Sequence, residues 1–141
     1  MEVQGGPASS RACGETPLRF VILHHTGCDR PHWDWFFEES QALVGWRVYH
    51  DPTRQAKDGL VLFRQGDHRK HYLDYEGPLS AGRGQVRRVA AGVYRLTARQ
   101  PDCWRGVLEG QPVAGPFELR RSESDRWLLT GSMWRPGAEP T

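Results

Sequence analysis

Cysteine, methionine and long apolar runs are all scarce in this chain, and each shortage removes a class of protein. The three cysteines, Cys13, Cys28 and Cys103, are an odd number. Residues 1–16 hold no apolar stretch of the signal-peptide kind, so the cysteines do not read as a disulfide framework, and reduced thiols are expected. No segment approaches the roughly 20 apolar residues of a helical membrane span, and mean hydropathy is −0.67. The expectation is a soluble, cytoplasmic, monomeric protein with no membrane partner. A sustained 3.6-residue apolar period is also missing, which argues against a helical bundle. What remains is 141 residues, enough for one domain with its own core.

Short apolar segments broken by turn residues fill the middle of the chain. Strands are predicted at 18–23, 33–37, 43–49, 60–64, 85–89, 92–97, 104–108, 117–121 and 127–130, where β-branched and aromatic residues concentrate. Residues 43–49 alternate, with Trp46 and Val48 on one face. Ala90-Ala91 separates two of the strands, and one short helical turn is expected at 38–43. Residues 1–17 read as a flexible arm, 18–133 as the folded domain and 134–141 as a flexible tail. The fold class is mainly β: a small closed or partly open β-barrel of short antiparallel strands with one or two short helices.

Charge is uneven although the net value is only +2. Between Arg64 and Arg99 eight basic residues face three acids, and this stretch suits a polyanion such as nucleic acid. An Arg-rich solvated surface is the plainer alternative. The six tryptophans could stack bases, but most fall within strands, where core packing explains them.

All six histidines lie between residues 24 and 71, and imidazole is both the commonest metal ligand and the acid–base group suited to neutral pH. In His32-Trp33-Asp34, residues i and i+2 of a strand share a face, so His32 and Asp34 point together. His25, one loop away at the end of the preceding strand, can converge on them. Two imidazoles and a carboxylate leave open positions on a divalent metal, as catalysis requires. A surface His–Asp hydrogen-bonded pair is the alternative. A second metal grouping is His25, Cys28 and His32, where the thiol favours zinc. Further on, Asp67-His68-Arg69-Lys70-His71-Tyr72 collects donors suited to phosphate oxygens, and His68 could protonate a leaving group. Tyr72 and Tyr75 could equally pack as lids on the barrel. The Gly82-Arg83-Gly84 turn puts Arg83 beside backbone that needs glycine freedom.

These residues resemble a known family. Arg19-Phe20-Val21-Ile22-Leu23, His25, Arg30-Pro31-His32-Trp33-Asp34 and Glu38 look like the first signature of the 3′-phosphoesterase domain of bacterial DNA ligase D. Gly45-Trp46-Arg47-Val48 is similar to its next strand. Asp67-His68-Arg69 with Tyr72-Leu73-Asp74-Tyr75-Glu76-Gly77 is similar to its second signature, and Val107-Leu108-Glu109-Gly110 and Arg126-Trp127-Leu128-Leu129 resemble its closing strands. The resemblance covers about residues 18–130. It implies a hydrolase that heals DNA 3′ ends in repair, removing a terminal ribonucleoside and then a 3′-phosphate, usually with manganese, zinc or another divalent ion being possible. It implies His25, His32 and Asp34 as metal ligands, with His32 and Asp34 thereby in the catalytic set. His68 and Tyr72 are implied as the groups that touch the scissile phosphate.

The sequence departs from that family at two places. Family members carry an Arg two residues after the Asp, where this chain has Phe36; Arg30, Arg69 or Arg83 would then have to serve the phosphate. The loop between His25 and His32 is one residue longer, which leaves His24 as an alternative first ligand. The chain carries no ligase or polymerase segment, so such partners would act in trans. Two further readings stand beside the enzyme: a non-catalytic module that binds nucleic-acid ends or a repair partner, and a metal-holding barrel acting on another phosphorylated substrate.

Overall fold

The computed structural model describes residues 17–134. The expected arm, apart from Pro17, and the expected tail, apart from Trp134, lie outside the described residues. Nine strands form: β1 (Leu18–Thr26), β2 (His32–Glu38), β3 (Leu43–Val48), β4 (Leu60–Arg64), β5 (Gly77–Pro78), β6 (Gln85–Gln100), β7 (Cys103–Gln111), β8 (Ala114–Glu123) and β9 (Arg126–Gly131). All pairings are antiparallel. They run β1-β2-β3-β4-β9-β8-β7-β6, and β6 returns to pair with β1. The ring is closed, which removes the exposed edges that invite aggregation. β5 adds to the first two residues of β6, before β7 takes up the same edge at Ala91. This is the small antiparallel β-barrel expected, and its helical content among the described residues is two short 3₁₀ turns, Lys70–Leu73 and Ser80–Gly82.

Two local expectations are corrected. Residues 38–43 hold no helix. Glu38 ends β2, Leu43 begins β3 opposite it, and the Glu39 N–H donates to the Ala42 carbonyl at 2.9 Å to close the hairpin loop. The run of acids and small residues there serves a turn. Ala90-Ala91 does not separate two strands either; both lie inside the 16-residue β6. The irregularity there is a register shift against β1 between Ile22 and Leu23, where the facing residue skips from Ala90 to Arg88. A bulge bends the strand without ending it.

Alternation divides the side chains into two cores. Phe20 and Ile22 of β1, Trp35 and Phe37 of β2 and Val44, Trp46 and Val48 of β3 point into the barrel, where they meet Trp104, Phe117, Leu119, Trp127 and Leu129. The intervening residues Val21, Leu23, Phe36 and Leu43 face outward, yet they too are buried. The excursion between β4 and β6 folds over them, bringing Leu73, Tyr72, Tyr75 and Leu79 onto the outer wall. Trp134, placed by the sequence reading at the start of the tail, packs in the inner core and donates from its indole nitrogen to the Pro52 carbonyl at 2.9 Å.

Gly45 shows how closely this outer wall is fitted. It faces Phe36 across the β2–β3 pair, and a Cβ there would lie 2.6 Å from the Phe36 ring. Gly45→Ala is therefore expected to displace Phe36 and to cost about 1–3 kcal/mol as overpacking does. Denaturant unfolding at unchanged m-value would measure it; a midpoint equal to the parent's would mean that the ring moves freely.

Candidate functional site

The outward rows of β1, β2 and β3 carry the chemistry. Register aligns His25 with His32, Leu23 with Asp34, and Asp34 with Arg47. Strand pairing thus sets two imidazoles, a carboxylate and a guanidinium side by side. The excursion adds the opposite wall. His68 is bound to Leu43 by two backbone hydrogen bonds of 2.8 and 3.0 Å, and Tyr72 sits on the turn that follows. Together they enclose a pocket of about 120 Å³ lined by His25, Asp34, Phe36, Arg47, His68, Tyr72 and Arg83, with Leu23, Leu79 and Val86.

The imidazoles are oriented by main-chain carbonyls. His25 Nε2 donates to the Arg83 carbonyl at 2.6 Å, His32 Nδ1 to that of Arg30 at 2.9 Å, and His68 Nδ1 to that of Gly66 at 2.9 Å. A carbonyl can only accept, so each bonded nitrogen carries the proton and the other nitrogen keeps a lone pair in the neutral ring. The first of these bonds depends on Gly84. Its φ of +91° and its missing Cβ, which would fall 2.1 Å from the Thr26 carbonyl oxygen, let the 83–84 backbone lie against the end of β1.

His25 Nδ1 lies 3.8 Å from Asp34 Oδ2, and His32 Nε2 lies 3.5 Å from Asp34 Oδ1. His32 is 4% exposed and its Nε2 has no hydrogen-bond partner. A buried, unpartnered nitrogen normally costs free energy, and here it faces a carboxylate beside a second free nitrogen. Metal-binding histidines show this arrangement, with the far nitrogen bonded to a carbonyl and the near one left bare. The donor set fits a divalent ion.

Asp34 is 7% exposed. Burial alone would push its carboxyl up. Contacts with His32 and with Gln65, whose amide donates to Oδ1 at 2.8 Å, together with the nearby charge of Arg47, outweigh that and hold the carboxyl below its usual range. Asp34 is thus an anion at neutral pH. Arg47 Nε, 3.9 Å from Asp34 Oδ1, is likewise buried without a hydrogen-bond partner.

Of the predicted site residues, His25, Asp34, His68, Tyr72 and Arg83 line the pocket and His32 backs it. Arg30 and Arg69 are not brought there. The Arg30 guanidinium lies 3.6 Å over the Tyr49 ring and lines a neighbouring open hollow of about 510 Å³, which shares Arg47 with the pocket. Arg69 is exposed at the start of the 3₁₀ turn. Their backbones follow the loops, and the loops point them away. His24 is set aside as a ligand. It stacks on Trp33 at 4.3 Å on the opposite face, where burial and Arg87 lower its basicity. Cys28, in the β1–β2 loop, is close: one ligand atom each of His25, Cys28 and His32 lie within 4.8 Å of one another. Phe36 occupies the pocket floor, with its ring 4.7 Å from His68 and 6.3 Å from Tyr72.

Sequence reasoning gave no role to Arg47 or Gln65. The signal for Arg47 was its alternation with Trp46 and Val48, which puts it on the outer face, but only the hairpin register puts it opposite Asp34.

The chain matches no protein-family model. Among curated proteins it is 31% identical over 117 residues to the multifunctional non-homologous end joining protein LigD of Mycobacterium bovis. The same identity and length relate it to the multifunctional non-homologous end joining DNA repair protein LigD of Mycobacterium tuberculosis. Over that stretch the chain is a distant homologue of LigD. The similarity takes in 77% of this chain and 15% of the relative, so the chain spans about a seventh of the length of the LigD proteins it matches. No helix among the described residues is long and apolar enough to cross a membrane.

Proposed function

We propose that this domain is a metal-dependent phosphoesterase acting on nucleic-acid 3′ ends in DNA break repair. The observation that carries the proposal is the pair of carbonyl-oriented imidazoles, His25 and His32, whose free nitrogens face the ionised Asp34 at one wall of a pocket that also holds His68, Tyr72, Arg47 and Arg83. Similarity to LigD, named as a DNA repair protein, supports the same reading.

His25, His32 and Asp34 would hold the ion. Bound there, manganese or another divalent metal would neutralise phosphate charge and lower the pKa of a water. Arg47 would supply the guanidinium group that Phe36 does not, Arg83 lines the pocket with its guanidinium donating to the Ser80 carbonyl and hydroxyl at 3.0 Å, and Tyr72 would add a hydroxyl donor for a phosphoryl oxygen. His68, its Nδ1 committed to Gly66, keeps Nε2 for the substrate. In the imidazolium form it would donate to the leaving oxygen. The pocket's imidazole, guanidinium and phenol donors suit a terminal phosphate. A 3′-hydroxyl product is what a ligase or polymerase consumes.

The test uses a primer–template ending in a 3′-phosphate and another ending in a single ribonucleotide, with manganese supplied or chelated. Metal-dependent conversion is expected. Arg47→Ala should lower kcat/KM about tenfold to a hundredfold, the worth of one hydrogen bond to a charged group.

Phe36 supports a second reading. An apolar ring stands where the resembling family has Arg, and it leaves the basic surface for binding without turnover. Salt-sensitive DNA binding by folded, metal-loaded protein that converts neither substrate would establish that reading and overturn the first.

A further inference from the structure

The loop between β1 and β2 carries a group that the phosphoesterase reading does not use. Cys28 is half-buried, and its Sγ makes only long contacts, 3.8 Å to the His25 carbonyl and 3.6 Å to that of Arg30. Ligand atoms of Cys28, His25 and His32 nonetheless lie within 4.8 Å of one another. Independently of the thiol, His32 Nε2 is buried and unpartnered, and Asp34 Oδ1 is 3.5 Å from it. The two imidazoles are thus shared: His25 and His32 lie within reach of the Cys28 thiol and each has a nitrogen within 4 Å of the Asp34 carboxylate.

We infer that Cys28 is a fourth metal ligand that converts the His25, His32 and Asp34 set into a closed tetrahedral zinc site. Zn–N and Zn–S distances of about 2.0–2.1 and 2.3 Å put tetrahedral ligands about 3.3–3.7 Å apart. The His25, Cys28 and His32 ligand atoms, within 4.8 Å of one another, are about an ångström looser than that. The thiol has the freedom to close the gap, because it sits in a loop and gives up only weak S–H contacts. Binding breaks the S–H bond, the proton passes to solvent, and the thiolate takes the fourth position.

The consequence follows from coordination chemistry. Manganese is harder, favours oxygen ligands and six positions, and gains little from a thiolate; with two imidazoles and a carboxylate it keeps places for water and phosphate. Zinc with four protein ligands has none, as structural zinc sites do not. Zinc then holds the site shut, and exchange for manganese opens it. This regulatory consequence rests on the phosphoesterase reading, whereas the ligation does not.

Cobalt(II) replaces zinc as the spectroscopic probe. Cobalt-loaded protein is expected to show a thiolate-to-cobalt charge-transfer band in the near ultraviolet with intense tetrahedral visible bands, and Cys28→Ser should lose the charge-transfer band. Zinc and manganese affinities, read by competition with a chromophoric chelator, should show the zinc-over-manganese preference falling at least about tenfold in Cys28→Ser, since loss of even an outer partner costs about 10–100-fold. A wild-type cobalt spectrum without the charge-transfer band, or an unchanged preference, overturns the inference. In the primer–template assay, zinc should inhibit manganese-supported conversion by the wild type more strongly than by Cys28→Ser; equal inhibition overturns the regulatory part. Should neither protein convert substrate, the phosphoesterase reading fails, while the cobalt spectrum still decides the ligation.

Discussion

Asp34→Ala is expected to abolish metal-dependent conversion of a 3′-phosphate while the barrel stays folded. Among the described residues Asp34 is the carboxylate facing both free imidazole nitrogens, at 3.8 and 3.5 Å, and its contacts with His32, Gln65 and Arg47 keep it ionised despite burial. Removing it takes away a proposed metal ligand and the negative charge that Arg47 faces. The loss should exceed roughly 10²–10³-fold, which is what one preorganised electrostatic group is worth. Asp34→Asn, of the same shape, should fall with it, because the charge and not the volume is what the site uses. Steady-state rates, with circular dichroism as the check on folding, would read the effect. A rate equal to the parent's would remove Asp34, and with it the proposed mechanism.

The largest stability effect is expected at Trp46. Its side chain is fully buried where the β3, β7 and β9 sides of the ring meet, edge-on to Phe37, Trp104 and Trp127 at centroid distances of 5.8, 5.2 and 5.4 Å. Trp46→Ala should cost about 3–5 kcal/mol, the usual range for a large aromatic lost from a core. A domain stability of about 5–15 kcal/mol makes that a large share of the total. The fall in the denaturant midpoint would measure it. A loss under about 1 kcal/mol would mean that the three facing rings collapse into the space. The site should fail in parallel, since β3 carries Arg47 on its other face.

The strands were legible because aromatic and β-branched residues alternate with polar ones, and the last three strands show that most clearly. Ring closure was not. It depends on β6 running unbroken through Ala90-Ala91, and two alanines carry no signal that distinguishes a bulge from a break. Legibility of the site divides along the same line. His32 and Asp34 were visible because a two-residue spacing on a strand needs no tertiary knowledge, and the end of β1 put His25 nearby. A run of donor side chains and the family resemblance marked His68 and Tyr72, but nothing local says that residues 30 to 40 positions away along the chain will fold over β2. Arg47 stayed hidden for a different reason: its role is set by which residue it faces across a hairpin, and a slip of one residue would put it on the other face. Arg30 and Arg69 show the converse, as basic residues near the motifs whose loops carry them elsewhere.

The closed ring has a consequence for how the site can change over time. His25, His32 and Asp34 hang from paired strands of a sealed wall, so their mutual spacing is inherited with the barrel. His68, Tyr72 and Arg83 ride on the excursion between β4 and β6, which lies outside the ring and can be reshaped at little cost to the inner core. On the proposed reading, retaining an ion and processing a phosphate are therefore separable traits in this architecture. Changes confined to that excursion would alter the second and leave the first in place.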